Sequence, residues 1–199
     1  MSREIWTIGH WTCSEAAFGA LLAAQRVDLV ADVRAQPGSR RSPQFGRDAM
    51  PGWLGREGID YVHLDELAGR RGKQDVGPEV NGGWQNASFR NYADYSLSPA
   101  YERGIEMLSE LARNRRVAIM CGEPTPWRCH RLLIANTLTA RGWTVRHIIG
   151  DGAPRVHELG QWGAVPSVEH GRVTYPRPST FAGTGVGAAS RGAHHDPAG

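Results

Sequence analysis

The twelve residues Met120-Cys121-Gly122-Glu123-Pro124-Thr125-Pro126-Trp127-Arg128-Cys129-His130-Arg131 carry two thiols, a carboxylate, an imidazole and two guanidiniums. A cysteine close to arginine and to a helix N-terminus has a lowered pKa and a larger thiolate fraction. Cys121 and Cys129 both hold such a position, so either is a candidate nucleophile. Glu123 is the first candidate for general acid or base, and Asp32 the next. His10, His63 and His130 are candidate proton carriers that the sequence does not rank. Cys13 has no basic neighbourhood and is expected to pack. Cys121, Cys129 and His130 are also metal-ligand types. Adjacent Cys129 and His130 are poorly placed to reach one ion and the usual paired spacings are missing, so no metal and no cofactor are expected.

Arginines and hydroxyls supply the binding chemistry. Arg34, Ser39 and Arg40 surround Pro37-Gly38, and such a loop can hold phosphate oxygens. Arg128 and Arg131 add two guanidiniums to the cysteine stretch. Arg70 opens a second basic cluster, followed by Trp84, Phe89 and Tyr92, which are able to stack on a base or to close as an apolar lid.

These groups need a scaffold that brings them together. Apolar runs 4–8, 28–33, 59–64, 116–121 and 143–149 read as strands, with helical patterns between them. Ser14 is a helix N-cap, and Ser98-Pro99 opens a helix with an apolar face at Tyr101, Ile105, Leu108 and Leu111. Further helices are expected over 50–57, around Tyr92 and Tyr95, over 125–140 and over 156–162, and an edge strand over 168–175. The alternation predicts an α/β fold: a three-layer sandwich with a mostly parallel sheet of about five strands and helices on both faces. In such a sheet ligands bind at the carboxyl edge. That edge would collect His10, Asp32 with Arg34, His63 with Asp65, Cys121 with Glu123, and His147 in one crevice.

Composition sets the limits. A chain of 199 residues fits one α/β domain over 1–178, followed by a Gly/Ala-rich tail over 179–199 expected to be disordered. His194 and His195 fall in that tail. No apolar run is long enough for a membrane span, and no secretory leader is seen. Three cysteines do not suggest a disulfide framework, which points to a reducing cytoplasm. The net charge of +3 is too small to mark a dedicated nucleic-acid binder by itself. Nothing in the sequence sets an oligomeric state.

The motifs Thr7-Ile8-Gly9-His10, Asp32-Val33-Arg34 with Pro37 and Ser39-Arg40, Pro43-Gln44-Phe45, Leu67-Ala68-Gly69-Arg70, Phe89 to Tyr95, and Met120 to Arg131 together resemble the domain-of-unknown-function 488 family. The likeness runs from about Trp6 to Pro176. Two departures are Trp11, where serine is usual, and Ala68-Gly69 in place of a glycine pair. The resemblance implies a three-layer α/β fold and marks His10, Asp32, Arg34, Arg40, Cys121, Glu123, Cys129, His130 and Arg131, without supplying an activity. A weaker, fold-level likeness is to rhodanese-like domains, through Asp32-x-Arg34 and a strand-end Cys121 before a helix.

The first functional expectation is an enzyme acting on a phosphate-bearing substrate, a nucleotide or nucleic acid, with Glu123 as acid/base, supported by Asp32 and His10. Glycosidic-bond or base-directed chemistry would fit it. The second is a cysteine-dependent enzyme of sulfurtransferase type. The third is a non-catalytic nucleic-acid-binding module using 70–95. The partner in each case is an anionic small molecule or nucleic acid, not a membrane.

Overall fold

The computed structural model describes residues 3–38 and 41–178. Ser39, Arg40 and the tail 179–199 lie outside the described residues, so the phosphate-loop and disordered-tail expectations that rest on them do too.

Five strands run parallel: β1 (Glu4–Gly9), β2 (Leu29–Asp32), β3 (Asp60–His63), β4 (Val117–Cys121) and β5 (Thr144–His147). A two-residue strand, β6 (Arg155–Val156), pairs antiparallel with β5, giving the order β3-β2-β4-β1-β5-β6. The central strands are apolar along their length because both faces are covered. Trp6, Ile8, Val30, Ala118 and Met120 face one layer, made by α1 (Glu15–Ala24) and α2 (Met50–Arg56) through Phe18, Leu22, Trp53 and Leu54. Ile5, Leu29, Ala31, Val117 and Ile119 face the other. That layer contains α4 (Ala87–Tyr95), α5 (Pro99–Asn114) and α6 (Arg131–Ala140), and α3 (Pro78–Asn81) is a short helix before it. The chain is the α/β sandwich its alternation implies.

Side-chain caps open α1, α4 and α5. Ser14 accepts from Ala17 N at 3.1 Å, Asn86 from Ser88 N at 2.8 Å and Ser98 from Tyr101 N at 3.2 Å. α2 and α3 start without one, and so does α6. His130 stands at its N-cap without a side-chain capping bond, and its imidazole is used elsewhere.

Three elements differ from expectation. The helix expected from Thr125 begins at Arg131; Pro126–Arg128 forms a 3-10 turn and Cys129 is extended. The segment 156–162 is not a helix, since Arg155–Val156 joins the sheet and Gly160, at φ +75°, takes a backbone conformation unsuited to a helix. The expected edge strand is a separate hairpin, β7 (Ser167–Glu169) with β8 (Arg172–Thr174). Its turn is His170-Gly171, both with positive φ, which suits a tight hairpin.

A buried polar chain crosses the second layer. Thr7 Oγ1 lies 2.7 Å from His147 Nδ1, His147 Nε2 lies 3.0 Å from His157 Nδ1, and His157 Nε2 lies 2.8 Å from Asn136 Oδ1. Asn136 Nδ2 donates to Tyr175 Oη at 2.8 Å. Because the Asn136 oxygen only accepts, His157 carries its proton on Nε2, His147 donates through Nε2, and Thr7 donates to His147. His147, expected at the crevice, is therefore a neutral link in this chain. Burial lowers His147 to about 3, with His157 adding to it, and burial lowers His157 to about 4.

Candidate functional site

Strand register aligns the reactive ends. Gly9 lies beside Cys121, and Asp32 beside both Met120 and His63. His10 N and Trp11 N donate to the carbonyls of Cys121 and Gly122, both at 3.0 Å, so the chain leaving β1 runs along the loop leaving β4. The approach needs Gly9: a Cβ there would fall on the backbone of Glu123. A crevice of about 570 Å³ opens at this edge.

Cys121 and Cys129 both line it, Cys121 half-buried and Cys129 buried. Cys129 Sγ accepts from Arg131 Nε at 3.4 Å and lies 3.6 Å from His130 Nδ1. His130 Nε2 lies 2.9 Å from the Val33 carbonyl, which can only accept. Nε2 therefore carries a proton, and Nδ1 faces the sulfur. Gly69 backs this imidazole, and a Cβ there would come within 2.7 Å of Nδ1. Arg131 is fully buried and also donates to the Glu123 carbonyl, tying α6 to the loop.

The two thiols are driven apart in acidity. Burial opposes charge on Cys129. The hydrogen bond from Cys121 and the nearby His130 and Arg131 outweigh it and hold Cys129 well below an ordinary thiol. Cys121 is pushed well above, first by its hydrogen bond to Cys129 and then by burial. Of the pair, Cys129 is the one to lose its proton first, because its sulfur faces the Arg131 and His130 nitrogens.

Asp32 is occupied. It is fully buried, pairs with Arg34 at 2.6 Å, and accepts from Arg34 Nε and N, each at 2.9 Å, and from Tyr61 Oη at 2.7 Å. These donors fill the carboxylate's lone pairs, so it fixes Arg34 and does not serve as a base. Arg34 in turn donates to the Phe45 carbonyl at 2.7 Å and to His10 Nε2 at 3.3 Å. His10 stacks on Phe45 with ring centroids 4.4 Å apart, and burial and then Arg34 lower its pKa. Its second nitrogen faces the Trp11 carbonyl at 3.1 Å. His10 lines the crevice as a neutral, fully bonded ring.

The rim carries the unspent groups. Arg70, Glu123 and Arg128 are exposed and line the crevice. Among the described residues, none of their side chains has a hydrogen bond or ion pair. Arg70 has φ +56°, a left-handed backbone that costs about 1–2 kcal/mol outside glycine. Its neighbour Arg71 is consumed by the Ala68 and Asp65 carbonyls and by the Tyr95 ring, 4.1 Å away. Tyr92 forms a wall, its hydroxyl donating to the Leu67 carbonyl at 2.7 Å and its ring 4.9 Å from that of His130.

The structure thus joins His10, Arg34, Arg70, Tyr92, Cys121, Glu123, Arg128, Cys129 and His130 in one crevice. Asp32 and Arg131 stand behind it, and His63 is tied to the Arg34 carbonyl at 2.8 Å. Sequence reasoning missed the roles of Phe45, Gly9 and Gly69, although each sits in a quoted motif. The adjacency argument against a shared ion does not hold. Extended Cys129 and helical His130 turn toward one point, and the donor atoms of Cys121, Cys129 and His130 lie within 4.8 Å of one another. They could hold a thiophilic ion, but Arg131 already compensates Cys129, which disfavours a further positive charge there.

The sequence model of one protein family, domain of unknown function DUF488, matches residues 14–138. No curated protein and no solved structure matches the chain, and the rhodanese likeness rests on its residue pattern alone.

Proposed function

The chain belongs to the DUF488 family, and from that premise we propose that it is a thiolate-dependent enzyme acting on an anionic, phosphate-bearing small molecule or nucleotide. The observation that carries this reading is the place of Cys129: its sulfur lies between His130 Nδ1 and Arg131 Nε, at a crevice whose rim presents unpaired Arg70 and Arg128. Arg70 and Arg128 bind the anion, since guanidiniums suit phosphate oxygens. A volume of about 570 Å³ suits a ligand of nucleotide size. The Cys129 thiolate is the nucleophile, and His130 Nδ1 beside it is placed to carry a proton to or from the group that it displaces. Tyr92 and Phe89 supply a flat apolar wall for a base or ring. Reduced thiols suit a cytoplasmic setting.

Glu123 supports a second reading as acid/base, because its carboxylate lines the crevice with no partner among the described residues. Its carboxylate is exposed whereas the Cys129 sulfur is enclosed between basic groups, which favours Cys129.

Alkylation separates the two. Iodoacetate, an anion, should label Cys129 faster than neutral iodoacetamide does, the reverse of a free thiol. Inorganic phosphate should suppress the labelling, and Arg70→Ala with Arg128→Ala should abolish the preference. Glu123→Gln should leave it intact. Labelling confined to Cys13, or loss of phosphate protection in Glu123→Gln alone, would refute the thiolate reading.

A further inference from the structure

Cys121 has no place in a single-nucleophile scheme, yet it lines the same crevice, and its sulfur lies within 4.8 Å of Cys129. The two residues flank a loop that turns at Gly122. A disulfide needs sulfurs about 2.05 Å apart, so side-chain rotation and a small loop adjustment would have to close the gap. Cys121 is the more exposed of the two, and Cys129 is the one flanked by cationic and imidazole groups. Resting on the reading that Cys129 is reactive, we infer that Cys121 is a resolving thiol, and that the crevice reduces anionic disulfides through a Cys121–Cys129 dithiol.

The steps balance. The Cys129 thiolate attacks one sulfur of a substrate R–S–S–R′; the Cys129–S–R bond forms and R′–S⁻ leaves. Cys121 then loses its proton to His130, whose ring nitrogen lies within 4.8 Å of its sulfur, and attacks Cys129 Sγ. The Cys121–Cys129 bond forms, and R–S⁻ leaves. The substrate gains two electrons and becomes two thiols, and the protein dithiol becomes a disulfide. Two equivalents of a low-molecular-weight thiol restore the dithiol and are themselves oxidised to a disulfide. Arg70 and Arg128 select substrates with carboxylate or phosphate groups, and departing anions are stabilised by the same cations.

The probe is the dianionic aromatic disulfide dithiobis(nitrobenzoate), applied to the full chain with Cys13→Ser. Two coloured thiolates should be released per chain, leaving a protein two hydrogens lighter and free of adduct. Adding Cys121→Ser should release one thiolate and leave a stable mixed disulfide on Cys129. If Cys129 holds the adduct while Cys121 is present, or if Cys121→Ser still clears it, the resolving role is overturned and the thiolate reading stands. If Cys129 never reacts, the thiolate reading itself fails.

Discussion

Cys129 owes its acidity to Cys121 and to His130 and Arg131 beside it, and of these Arg131 is fully buried. The guanidinium donates to the sulfur at 3.4 Å from a position closed to water. Arg131→Met keeps much of the volume and removes the charge. The Cys129 thiolate fraction should then fall about tenfold for each pKa unit regained, read from thiolate ultraviolet absorbance against pH. Asp32 makes the opposite prediction. Asp32→Asn should leave the Arg34 charge buried and half-paired, costing roughly 3–5 kcal/mol in urea unfolding. Where the variant folds, Cys129 reactivity should persist. This division was not legible in the chain. Asp32 and Glu123 are both carboxylates after apolar strands, and only burial shows that one is consumed by Arg34 while the other is unpaired.

At the scale of elements, β1 positions the cysteine loop by coming close to it. Gly9→Ala should push the Glu123 backbone away, cost about 1–3 kcal/mol and slow Cys129 alkylation, with far-ultraviolet circular dichroism unchanged. The His147–His157 link between β5 and the chain after β6 gives a pH prediction. Both histidines have folded pKa values below the unfolded 6.5, about 3 and about 4, so the unfolded chain binds more protons in between. Stability should be fully present above pH 6.5 and fall as pH drops toward 4, by up to about 1.4 kcal/mol per pH unit for each histidine. His157→Gln should flatten that slope in chemical unfolding at several pH values. Element identity was legible where periodicity was strong: all five parallel strands were expected within a few residues. It failed at 125–130, where Pro124 and Pro126 held the chain out of a helix, and at 156–175, where positive-φ residues set turns that hydrophobic pattern does not encode.

For the whole molecule, the net charge of +3 says little, and the placement of two cations says more. Inorganic phosphate at a hundred times its dissociation constant should stabilise the fold by about 2.7 kcal/mol, seen as a raised Tm. Arg70→Ala with Arg128→Ala should remove that shift while leaving the phosphate-free Tm nearly unchanged, since neither side chain bonds to any of the described residues. The shared crevice was legible because a parallel sheet gathers its strand ends on one edge. Its internal division was not, because His10, Asp32 and Arg131 turn inward while Arg70 and Arg128 remain free. The most direct measurement is the pH profile of Cys129 alkylation by a neutral reagent, followed by peptide mass mapping with and without phosphate. Rapid modification at mildly acid pH, slowed by phosphate and ahead of Cys13 and Cys121, is the predicted result. Cys129 reacting only as pH enters the ordinary thiol range, with no protection by phosphate, would contradict it.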